Sequence, residues 1–363
     1  MTQDTIPYVF MRGGSSRGPY FRRDDLPADL DALAEVLMAV VGAGHPINID
    51  GIGGGAAVTT KVAMLSRSDA PGIDIDYFFA QVAVEDRLVD YKPTCGNILS
   101  GVGPAAIELG LIEATSDTTT VRIRAVNTGA DITATVSTAD GQPVYDGDCA
   151  IAGVPGTAAP ITLAFHGVVG SATGALLPTG QARDTVDGVE VTCLDVAMPV
   201  VVARAEDMGI TGYESAAELD ANTAFFERLE RIRLQAGERM GMGDVRKSVT
   251  PKFAVIAPAV DGGSLATRYF MPWKTHPSMA VTGGQCLAAC ALLPGSVSDG
   301  LLQRPVGSPA DVGIEHPSGT LDVLMDFSLD GGAFEVTSAG LVRTARKLAD
   351  GHVYVPRALL ADT

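Results

Sequence analysis

Basic residues are scarce in this sequence, and that scarcity restricts its partners. Of the 363 residues, 26 are lysine or arginine and 43 are acidic, which gives a formal net charge of −17. A surface of this sign repels nucleic acid and anionic membranes, so we expect neither as a partner. Basic residues that cluster in spite of this balance are candidates for holding an anionic substrate.

The sequence also lacks long apolar runs and paired cysteine motifs. No run approaches the roughly 20 apolar residues of a membrane-spanning helix, and the N-terminal segment has no signal-peptide pattern, so we expect a cytoplasmic protein. The cysteines are odd in number and show no CxxC spacing, which argues against a disulfide framework and a structural zinc site. They are Cys95, Cys149, Cys193, Cys286 and Cys290. We expect Cys286 and Cys290 to be packing residues on one helix.

Common catalytic signatures are missing as well. The sequence contains no GxSxG elbow and no HExxH motif. Its glycine-rich stretch, residues 49–65, lacks the GK[ST] of a P-loop, and no strand–helix–strand unit with a ribose-binding acid is evident. Potential metal ligands are not clustered along the chain. We therefore expect an enzyme that uses no metal and no cofactor.

What remains is the pattern of a globular protein rich in short strands. Hydrophobic residues make up 46% of the chain, which is enough for a large core. Alternating apolar residues predict the strands, and glycines and prolines separate them as turns. The predicted strands include residues 73–84, 120–126, 131–137 and 160–166. Amphipathic helices are predicted at residues 27–41 and 215–237.

Two further helical segments, residues 97–110 and 283–295, are apolar almost all round. Such a helix is buried on every side, so the simplest packing is a curved sheet around a central helix, formed twice. We predict an α/β (α+β) fold with an N-terminal domain over residues 1–182 and a C-terminal domain over residues 183–345. Residues 346–363 are expected to form a C-terminal segment that returns to the N-terminal domain.

Cys95 stands where the first apolar helix begins, directly before Gly96 and Asn97. The unpaired N–H groups and the positive dipole end of a helix start favour thiolate over thiol. The alternative is a small buried hydrophobic residue, which is the more frequent role of an arbitrary cysteine. The turn predicted by Gly96 and Asn97 favours chemistry. We therefore take Cys95 as a candidate acid or base, with Gly96 and Asn97 as substrate-binding residues.

The stretch MRGGSSRGPYF, residues 11–21, combines two glycines, two hydroxyl side chains and two arginines. Backbone amides, hydroxyls and guanidinium groups in this arrangement would hold a carboxylate. The candidate binding residues are Arg12, Gly13, Gly14, Ser15, Ser16 and Arg17. The alternative is an ordinary hairpin turn with solvated arginines.

Lys61 lies in a predicted strand that follows the glycine-rich stretch and is otherwise apolar. A lysine in such a strand commonly points outward to water. If it points inward, loss of hydration favours the neutral amine, which makes Lys61 a candidate general base.

A second group of polar residues precedes and opens the second apolar helix, within residues 266–286. Its members are Arg268, Lys274, His276, Ser278, Thr282, Gly283 and Gly284. Together they have the composition of a second wall for an anion site. A single histidine proves little, because elsewhere it would be a surface or core residue.

These stretches resemble the PrpF-type isomerases of the diaminopimelate epimerase superfamily. The resemblance rests on FMRGGSSRGPYF, IDGIGGGAAVTTKVAML, CGNILSGVGPAAIELGL, THPSMAVTGGQCLAACALLPGS and VRTARKLADGHVYVP, which occur in order over nearly the whole chain. It implies a diaminopimelate epimerase-like fold of two similar domains, each a mixed β-sheet rolled around a central helix, with the site in the cleft between them. It also implies proton transfer without a cofactor.

The resemblance assigns roles to individual residues. Epimerases of the superfamily use two facing cysteines, and this sequence matches only the first, at Cys95. Thr282 and Gly283 stand where the second thiol would be, which disfavours a two-cysteine racemase. The isomerase branch is similar in having a lysine and a cysteine, which match Lys61 and Cys95. Which of the two removes the proton stays open.

The middle segment, residues 176–215, is most similar to enzymes that tautomerise 4-oxalomesaconate in the catabolism of gallate and protocatechuate. This implies a keto-to-enol tautomerase of an unsaturated keto di- or tricarboxylate. The alternatives are an allylic Δ-isomerase of oxalomesaconate, methylaconitate or aconitate, and a carboxylate-binding protein without catalysis. The expected partner is a small di- or tricarboxylate, and a homodimer is left open.

Overall fold

The computed structural model describes residues 3–302, 304–305 and 307–360. They form two compact units. Unit 1 comprises Met1–Phe165 and Val342–Thr363, and unit 2 comprises His166–Leu341. Both units are built mainly from strands. In the described part of the chain, no helix is long and apolar enough to cross a membrane.

Among its described residues, unit 1 contains a mixed sheet and three α-helices. Its strands are β1 (Gln3–Gly13), β2 (Ser16–Arg22), β3 (Lys61–Arg67), β4 (Ile75–Ala83), β5 (Leu88–Asp90), β6 (Thr118–Ala125), β7 (Ala130–Ala139), β8 (Gln142–Pro143) and β9 (Pro160–His166). The helices are α1 (Leu30–Val41), α2 (Gly96–Leu99) and α3 (Val102–Glu108). β1 pairs antiparallel with β2, which pairs parallel with β3, and β4 pairs parallel with β6.

Unit 2 repeats this composition. Its strands are β10 (Asp184–Val186), β11 (Val189–Asp195), β12 (Pro199–Arg204), β13 (Lys252–Pro258), β14 (Leu265–Phe270), β15 (Ala310–His316), β16 (Gly319–Asp330) and the first part of β17 (Ala333–Pro356). The helices are α4 (Ala216–Asp220), α5 (Thr223–Arg239) and α6 (Val281–Leu292). The sheet is again mixed, because β12 pairs parallel with β13 and antiparallel with β11. The last part of β17 belongs to unit 1, where it pairs antiparallel with β1.

The sheet of unit 1 packs against helices on both faces. Along β3, Val62 and Met64 join the cluster that contains α1. Ala63 and Leu65 join the cluster around α2 and α3. Successive side chains of a strand point to opposite faces, so every odd residue of β3, beginning with Lys61, faces α2 and α3. This alternation positions the candidate site.

Two of the predicted helices are interrupted. Residues 97–110 form α2 and α3, because the Ser100 hydroxyl donates to the carbonyl of Asn97 at 2.6 Å and the Tyr20 hydroxyl donates to that of Ile98 at 2.6 Å. Residues 215–237 form α4 and α5, which are separated where the side chain of Asn222 accepts a hydrogen bond from the Phe225 amide. Local apolar periodicity shows neither break.

The other helices differ from prediction at their ends. The predicted helix 27–41 begins later, at Leu30, because the Asp29 carboxylate caps it by accepting from two backbone amides. The predicted helix 283–295 is α6, which begins two residues earlier and ends at Leu292. Thr282, Gly283 and Gly284 therefore lie inside its first turn.

The division between the units follows a hydrogen-bonded loop. Ser171, Ala172 and Thr173 all donate to the buried carboxylate of Asp195, at 2.6–2.8 Å. These bonds attach the loop to β11, so unit 2 begins at His166. The boundaries predicted after residues 182 and 345 lie further along the chain than the divisions in the structure, because composition does not reveal this attachment.

Candidate active site

Cys95 directly precedes α2 and is half-buried at the edge of the unit 1 core. Its backbone is extended, with φ −132° and ψ 106°. Its carbonyl oxygen accepts from the Leu99 amide at 2.8 Å and from the Tyr77 hydroxyl at 3.4 Å. The backbone of Cys95 is thus held from two sides.

Two buried tyrosines support α2 from the sheet. Tyr20 on β2 donates to the carbonyl of Ile98, and Tyr77 on β4 donates to that of Cys95. Burial raises the pKa of both hydroxyls well above the usual value, so they stay protonated donors. Neither tyrosine was predicted from the sequence to belong to the site. A tyrosine at a core-facing strand position was the available signal, since a buried hydroxyl needs a partner.

The glycine turn between β1 and β2 packs directly on the start of α2. A Cβ atom on Gly13 would come within 2.5 Å of the Asn97 carbonyl oxygen, and one on Gly14 would overlap the Asn97 side chain. Gly14 also has a positive φ of 52°. The Asn97 amide donates to the Ser15 hydroxyl at 3.1 Å. The structure therefore joins two motifs that are about 80 residues apart in the chain.

Ser16 is the first residue of β2 and is only 3% exposed. Its hydroxyl oxygen has no hydrogen-bond partner among the described residues. Ser16 lies two and four residues before Gly18 and Tyr20, so the three project from the same face of β2, and Tyr20 packs in the cluster around α2 and α3. Ser16 therefore faces the same side of the sheet as Lys61, with a buried hydroxyl that is unpaired among the described residues.

Lys61 points inward, which resolves the alternatives that its sequence context left open. It begins β3 and is half-buried. Its Nζ atom donates to Gln81 Oε1 at 2.6 Å and lies 5.3 Å from the centre of the Phe79 ring. Phe79 belongs to the cluster against which Cys95 packs. Lys61 and Cys95 are thus on the same side of the unit 1 sheet.

Gln81 on β4 holds Lys61 and was not predicted from the sequence. Its Nε2 atom donates to the carbonyls of Ala57 and Thr60 and to the Thr60 hydroxyl, at 3.0–3.2 Å. The Thr60 hydroxyl in turn donates to the carbonyl of Val82. These bonds fix the amide orientation, so that only the carbonyl oxygen of Gln81 faces the lysine.

The two arginines of the glycine turn lie on the other face of the sheet. Arg12 is directly opposite Arg17 in the pairing of β1 with β2, and both alternate with residues that face α2. Arg12 Nη1 donates to the carbonyls of Gly14 and Thr344, at 2.8 and 2.9 Å. Arg17 is exposed, and its guanidinium lies 5.9 Å from the centre of the Phe10 ring. The structure does not bring either arginine to Lys61.

In unit 2, Arg268 is mostly buried and bonded to backbone. Its Nε atom donates to the carbonyl of Glu214 at 2.5 Å and its Nη1 atom to that of Thr267 at 2.8 Å. Burial lowers the pKa of this guanidinium, against the opposing effect of the Glu214 carboxylate. Lys274 is exposed. Through these bonds Arg268, a residue of β14, holds the backbone at Glu214 against that strand.

His276 and Ser278 are half-buried just before α6. The His276 Nδ1 atom accepts from the Ser278 amide at 3.0 Å, and the Ser278 hydroxyl lies 3.5 Å from His316 Nδ1. Burial is the main cause that lowers the pKa of both histidines. This pair of imidazoles was not anticipated from the sequence, because His316 is distant in the chain.

Gly283 and Gly284 make close contact with protein rather than leave open space. A Cβ atom on Gly283 would come within 2.5 Å of the Tyr269 ring, and one on Gly284 would overlap Leu321. The Thr282 hydroxyl lies 4.0 Å from the sulfur of Met198. Cys286 and Cys290 are fully buried in the same helix, as predicted, and burial raises the pKa of the Cys290 thiol to about 12.

The described residues contain no group of three or more histidine, cysteine, aspartate or glutamate side chains arranged to hold a metal ion. The chemistry that the geometry offers is that of an amine, a thiol and hydroxyl or amide donors. These groups can move a proton on a bound carboxylate.

A family model described as PrpF protein matches residues 3–356. The chain belongs to the PrpF family. This confirms the family predicted from the motifs around Gly13, Lys61 and Cys95.

Relatives in the PrpF family are isomerases. The chain is 48% identical over 357 residues to the 4-oxalomesaconate tautomerase of Pseudomonas putida, with 98% of each chain covered. It is 47% identical over 352 residues to the (4E)-oxalomesaconate Delta-isomerase of a Novosphingobium species, with 97% of this chain and 98% of the relative covered. The prediction of an isomerase is confirmed.

The fold of the PrpF family is shared with a solved structure. The crystal structure of a methylitaconate-delta-isomerase superimposes with a TM-score of 0.88 at 35% identity. The match covers 99% of this chain and 98% of the other. The predicted fold class, with strand-rich units that each enclose a buried helix, is confirmed.

Proposed function

We propose that the protein interconverts the keto and enol forms of an unsaturated keto di- or tricarboxylate, with 4-oxalomesaconate as the first candidate. The observation that carries the proposal is the placement of Lys61 and Cys95 on one side of the unit 1 sheet, beside the Gly13–Ser16 turn that packs on Asn97. The identity of 48% to a 4-oxalomesaconate tautomerase supports the substrate. The reaction would belong to aromatic-acid catabolism.

Lys61 and Cys95 act as an acid–base pair in this proposal. A proton on the carbon next to the keto group is acidic, because its loss gives an enolate. One of the two residues removes that proton, and the other protonates the enolate oxygen, which gives the enol. Each positioned acid or base contributes about 10²–10⁴-fold to such a rate. The reaction balances without an oxidant or any added group, so we propose that no cofactor takes part.

The substrate carboxylate is proposed to bind at the turn and at the start of α2. The free hydroxyl of Ser16, the hydroxyl of Ser15 and the amide of Asn97 supply donors. Gly96 leaves open space, because a Cβ atom there would meet nothing within 4 Å. Backbone amides of the Gly13–Gly14 turn would stabilise the charge that develops on the substrate.

The remaining predicted binding residues stay proposals. Arg12 and Arg17 would act through the turn and through long-range attraction, since both lie on the opposite face. The unit 2 residues Arg268, Lys274, His276, Ser278, Thr282, Gly283 and Gly284 are proposed to support a second substrate-binding surface. A homodimer is likewise a proposal, and light scattering of the purified protein would test it.

An allylic Δ-isomerase of the same acid is the second candidate. The 47% identity to a (4E)-oxalomesaconate Delta-isomerase is almost equal to that of the tautomerase. The same base would remove the same type of proton, and the acid would return it to a carbon of the conjugated system, which moves the double bond. The two reactions therefore differ only in the atom that receives the proton.

Proton NMR in D₂O separates these functions. The protein is incubated with 4-oxalomesaconate while ultraviolet absorbance and the vinyl and methylene signals are followed. A tautomerase yields the enol, in which the methylene carbon has become a vinyl CH and no methylene remains, whereas a Δ-isomerase yields a keto acid with a new methylene signal at the carbon that received the proton. Methylaconitate and aconitate complete the panel. If no acid of the panel reacts and each only binds, the protein is a carboxylate-binding protein and the proposal is wrong.

A further inference from the structure

Three arginines stand side by side across three neighbouring strands of unit 1. Arg12 on β1 is directly opposite Arg17 on β2 and directly opposite Arg346 on β17. Directly opposite residues project from the same face of a sheet with their Cβ atoms about 4.5–5.5 Å apart, and like charges in such pairs are destabilising. We call these three residues the arginine row. The three positive charges repel one another, and this repulsion has to be offset by negative charge nearby.

No acidic side chain supplies that compensation in the described part of the chain. None of the ion pairs there includes Arg12, Arg17 or Arg346, whereas other arginines, such as Arg122 and Arg124, pair with aspartates. Arg12 is half-buried, and its pKa is lowered first by burial and then by the charge of Arg346. The row thus holds positive charge in a strongly acidic protein.

A cavity of about 180 Å³ opens beside this row, within unit 1. Arg12, Arg346 and Thr344 form its strand side, and the loop of residues 154–158 forms the other. Asp146 also lines it, but this carboxylate is exposed and makes no ion pair with either arginine. The polar groups and two guanidiniums match a small anion. The volume is below the roughly 300–1,000 Å³ of pockets for drug-sized ligands.

Tyr145 contributes a wall to this cavity and supplies no charge. Its hydroxyl donates to Glu108 Oε1 at 3.0 Å, and the other oxygen of Glu108 accepts from Lys347 at 2.7 Å. Burial raises the pKa of the tyrosine far above its usual value, so it remains a phenol. The carboxylate of Glu108 is therefore already paired and leaves the arginines unneutralised.

The arginines of the cavity project from the face of the sheet opposite to Lys61. Met11, the residue before Arg12 on β1, packs in the cluster around α2 and α3, so Arg12 projects from the other face of the sheet. Ala63 packs in the same cluster and projects from the same face of β3 as Lys61. Arg12 and Lys61 are therefore on opposite faces. An anion held by the Arg12 guanidinium would therefore lie away from the Lys61 amine.

We propose that the cavity between Arg12 and Arg346 is a binding site for a small oxoanion, a carboxylate or phosphate group. Guanidinium groups bind such oxygens through paired N–H donors. The anion neutralises the arginine row. Because Arg12 also donates to the carbonyl of Gly14, the bound anion helps to fix the turn that packs on Asn97. The site does not depend on the proposed reaction.

Isothermal titration calorimetry tests the site with inorganic phosphate and succinate, each titrated separately against the whole protein. We expect saturable binding of one or both probes that weakens as sodium chloride is added. Arg346→Gln should weaken binding about tenfold or more, since charge-assisted bonds of this kind are strong. Arg346→Lys keeps the positive charge but loses the paired N–H donors of the guanidinium. Its affinity for the anion should therefore lie between those of wild type and Arg346→Gln. The probe that binds identifies the source of the oxoanion.

Two control variants test where on unit 1 the anion binds. Arg67→Gln removes an exposed arginine at the end of β3, in the same unit, and should bind like wild type. Lys61→Met removes the amine on the opposite face and should also leave binding intact. Absence of binding by both probes, equal binding in Arg346→Gln, or loss of binding in Lys61→Met would overturn the proposal. Circular dichroism confirms that each variant is folded.

Discussion

The starts of α2 and α6 look alike in sequence but differ in structure. Each has a threonine, two small residues and a side-chain amide in succession, Thr94–Asn97 at the first helix and Thr282–Gln285 at the second. At α2 the cysteine precedes the helix and the space beside Gly96 is open. At α6 the corresponding residues are inside the helix and pack against the sheet.

The difference shows that glycine at a helix start has two physical uses. It can leave room for a ligand near unpaired backbone amides, as proposed at Gly96. It can also let a helix approach a sheet closely, as at Gly283 beside Tyr269. Only the neighbours of the glycine distinguish these uses. The predictions below test whether chemistry is confined to the first helix start.

The largest effect is expected at Cys95. Replacing it with serine keeps the size of the side chain but removes the thiol, and should lower kcat by about 10²–10⁴-fold. Steady-state kinetics measure the change. Cys149→Ser, which alters another half-buried cysteine of unit 1, should keep kcat near wild type. A kcat near wild type in Cys95→Ser would remove the thiol from the mechanism.

Lys61→Met should cause a loss of similar size, about 10²–10⁴-fold in kcat, because it removes the amine but keeps most of the packing. The double variant with Cys95→Ser should lose little more than the worse single variant, since members of one catalytic unit are non-additive. If the losses instead multiply, the two residues act independently. If Lys61→Met keeps activity, the base belongs elsewhere, and His276 becomes the first candidate.

Gln81→Met tests whether the lysine needs its amide partner. The loss of the bond at 2.6 Å should let Lys61 move and lower kcat about 10–100-fold, with a smaller change in KM. Kinetics with 4-oxalomesaconate measure both constants. Gln142→Met, at an exposed glutamine on β8, serves as the control and should behave like wild type. Equal kcat in the two variants would show that Gln81 only fills space.

The two helix starts should respond oppositely to an added methyl group. Gly283→Ala should destabilise the fold by about 1–3 kcal/mol, because the new Cβ would press on the Tyr269 ring. Gly96→Ala should leave the free energy of unfolding within about 0.5 kcal/mol of wild type, while raising KM. Urea unfolding and kinetics measure these effects. Equal stabilities would contradict the assignment of Gly283 to packing.

The smallest effect concerns His276. Burial lowers its pKa in the folded protein below that of the unfolded chain, about 6.5. The unfolded chain therefore binds more protons, and stability falls as the pH drops through this region and is fully present above it. In His276→Asn, the difference in unfolding free energy between about pH 7.5 and 5.5 should shrink. An unchanged difference would assign the effect to other groups, His316 first.

Much of the candidate site was predicted from residues that are close together in the chain. Cys95, Gly96 and Asn97 became candidates because a cysteine, a glycine and an amide precede an apolar segment, and all three lie at the start of α2. The turn at Gly13 and Gly14 was found from its composition. By contrast, Tyr20, Tyr77 and Gln81 were missed, because their partners lie in distant segments, at the start of α2 for the tyrosines and on β3 for the glutamine.

The arginines of the turn show a different limit. Their composition suggested a carboxylate cradle with Ser16, but strand alternation places Arg12 and Arg17 on the face opposite to Ser16. Which residues of the turn belong to β1 and β2 depends on where the hairpin begins. A shift of one residue would reverse the faces, and composition does not resolve such a shift.

The sequence by itself determined the strand-rich composition, the two buried helices and the motifs that identify the PrpF family. These properties are local, since apolar periodicity and turn residues act over a few neighbours. Only the tertiary structure decided that Lys61 faces Gln81 and α2, that Gly283 packs on Tyr269, and that Arg12 meets Arg346. Each of these depends on strand register and on pairing between distant segments, which long-range burial selects and no short stretch of sequence encodes.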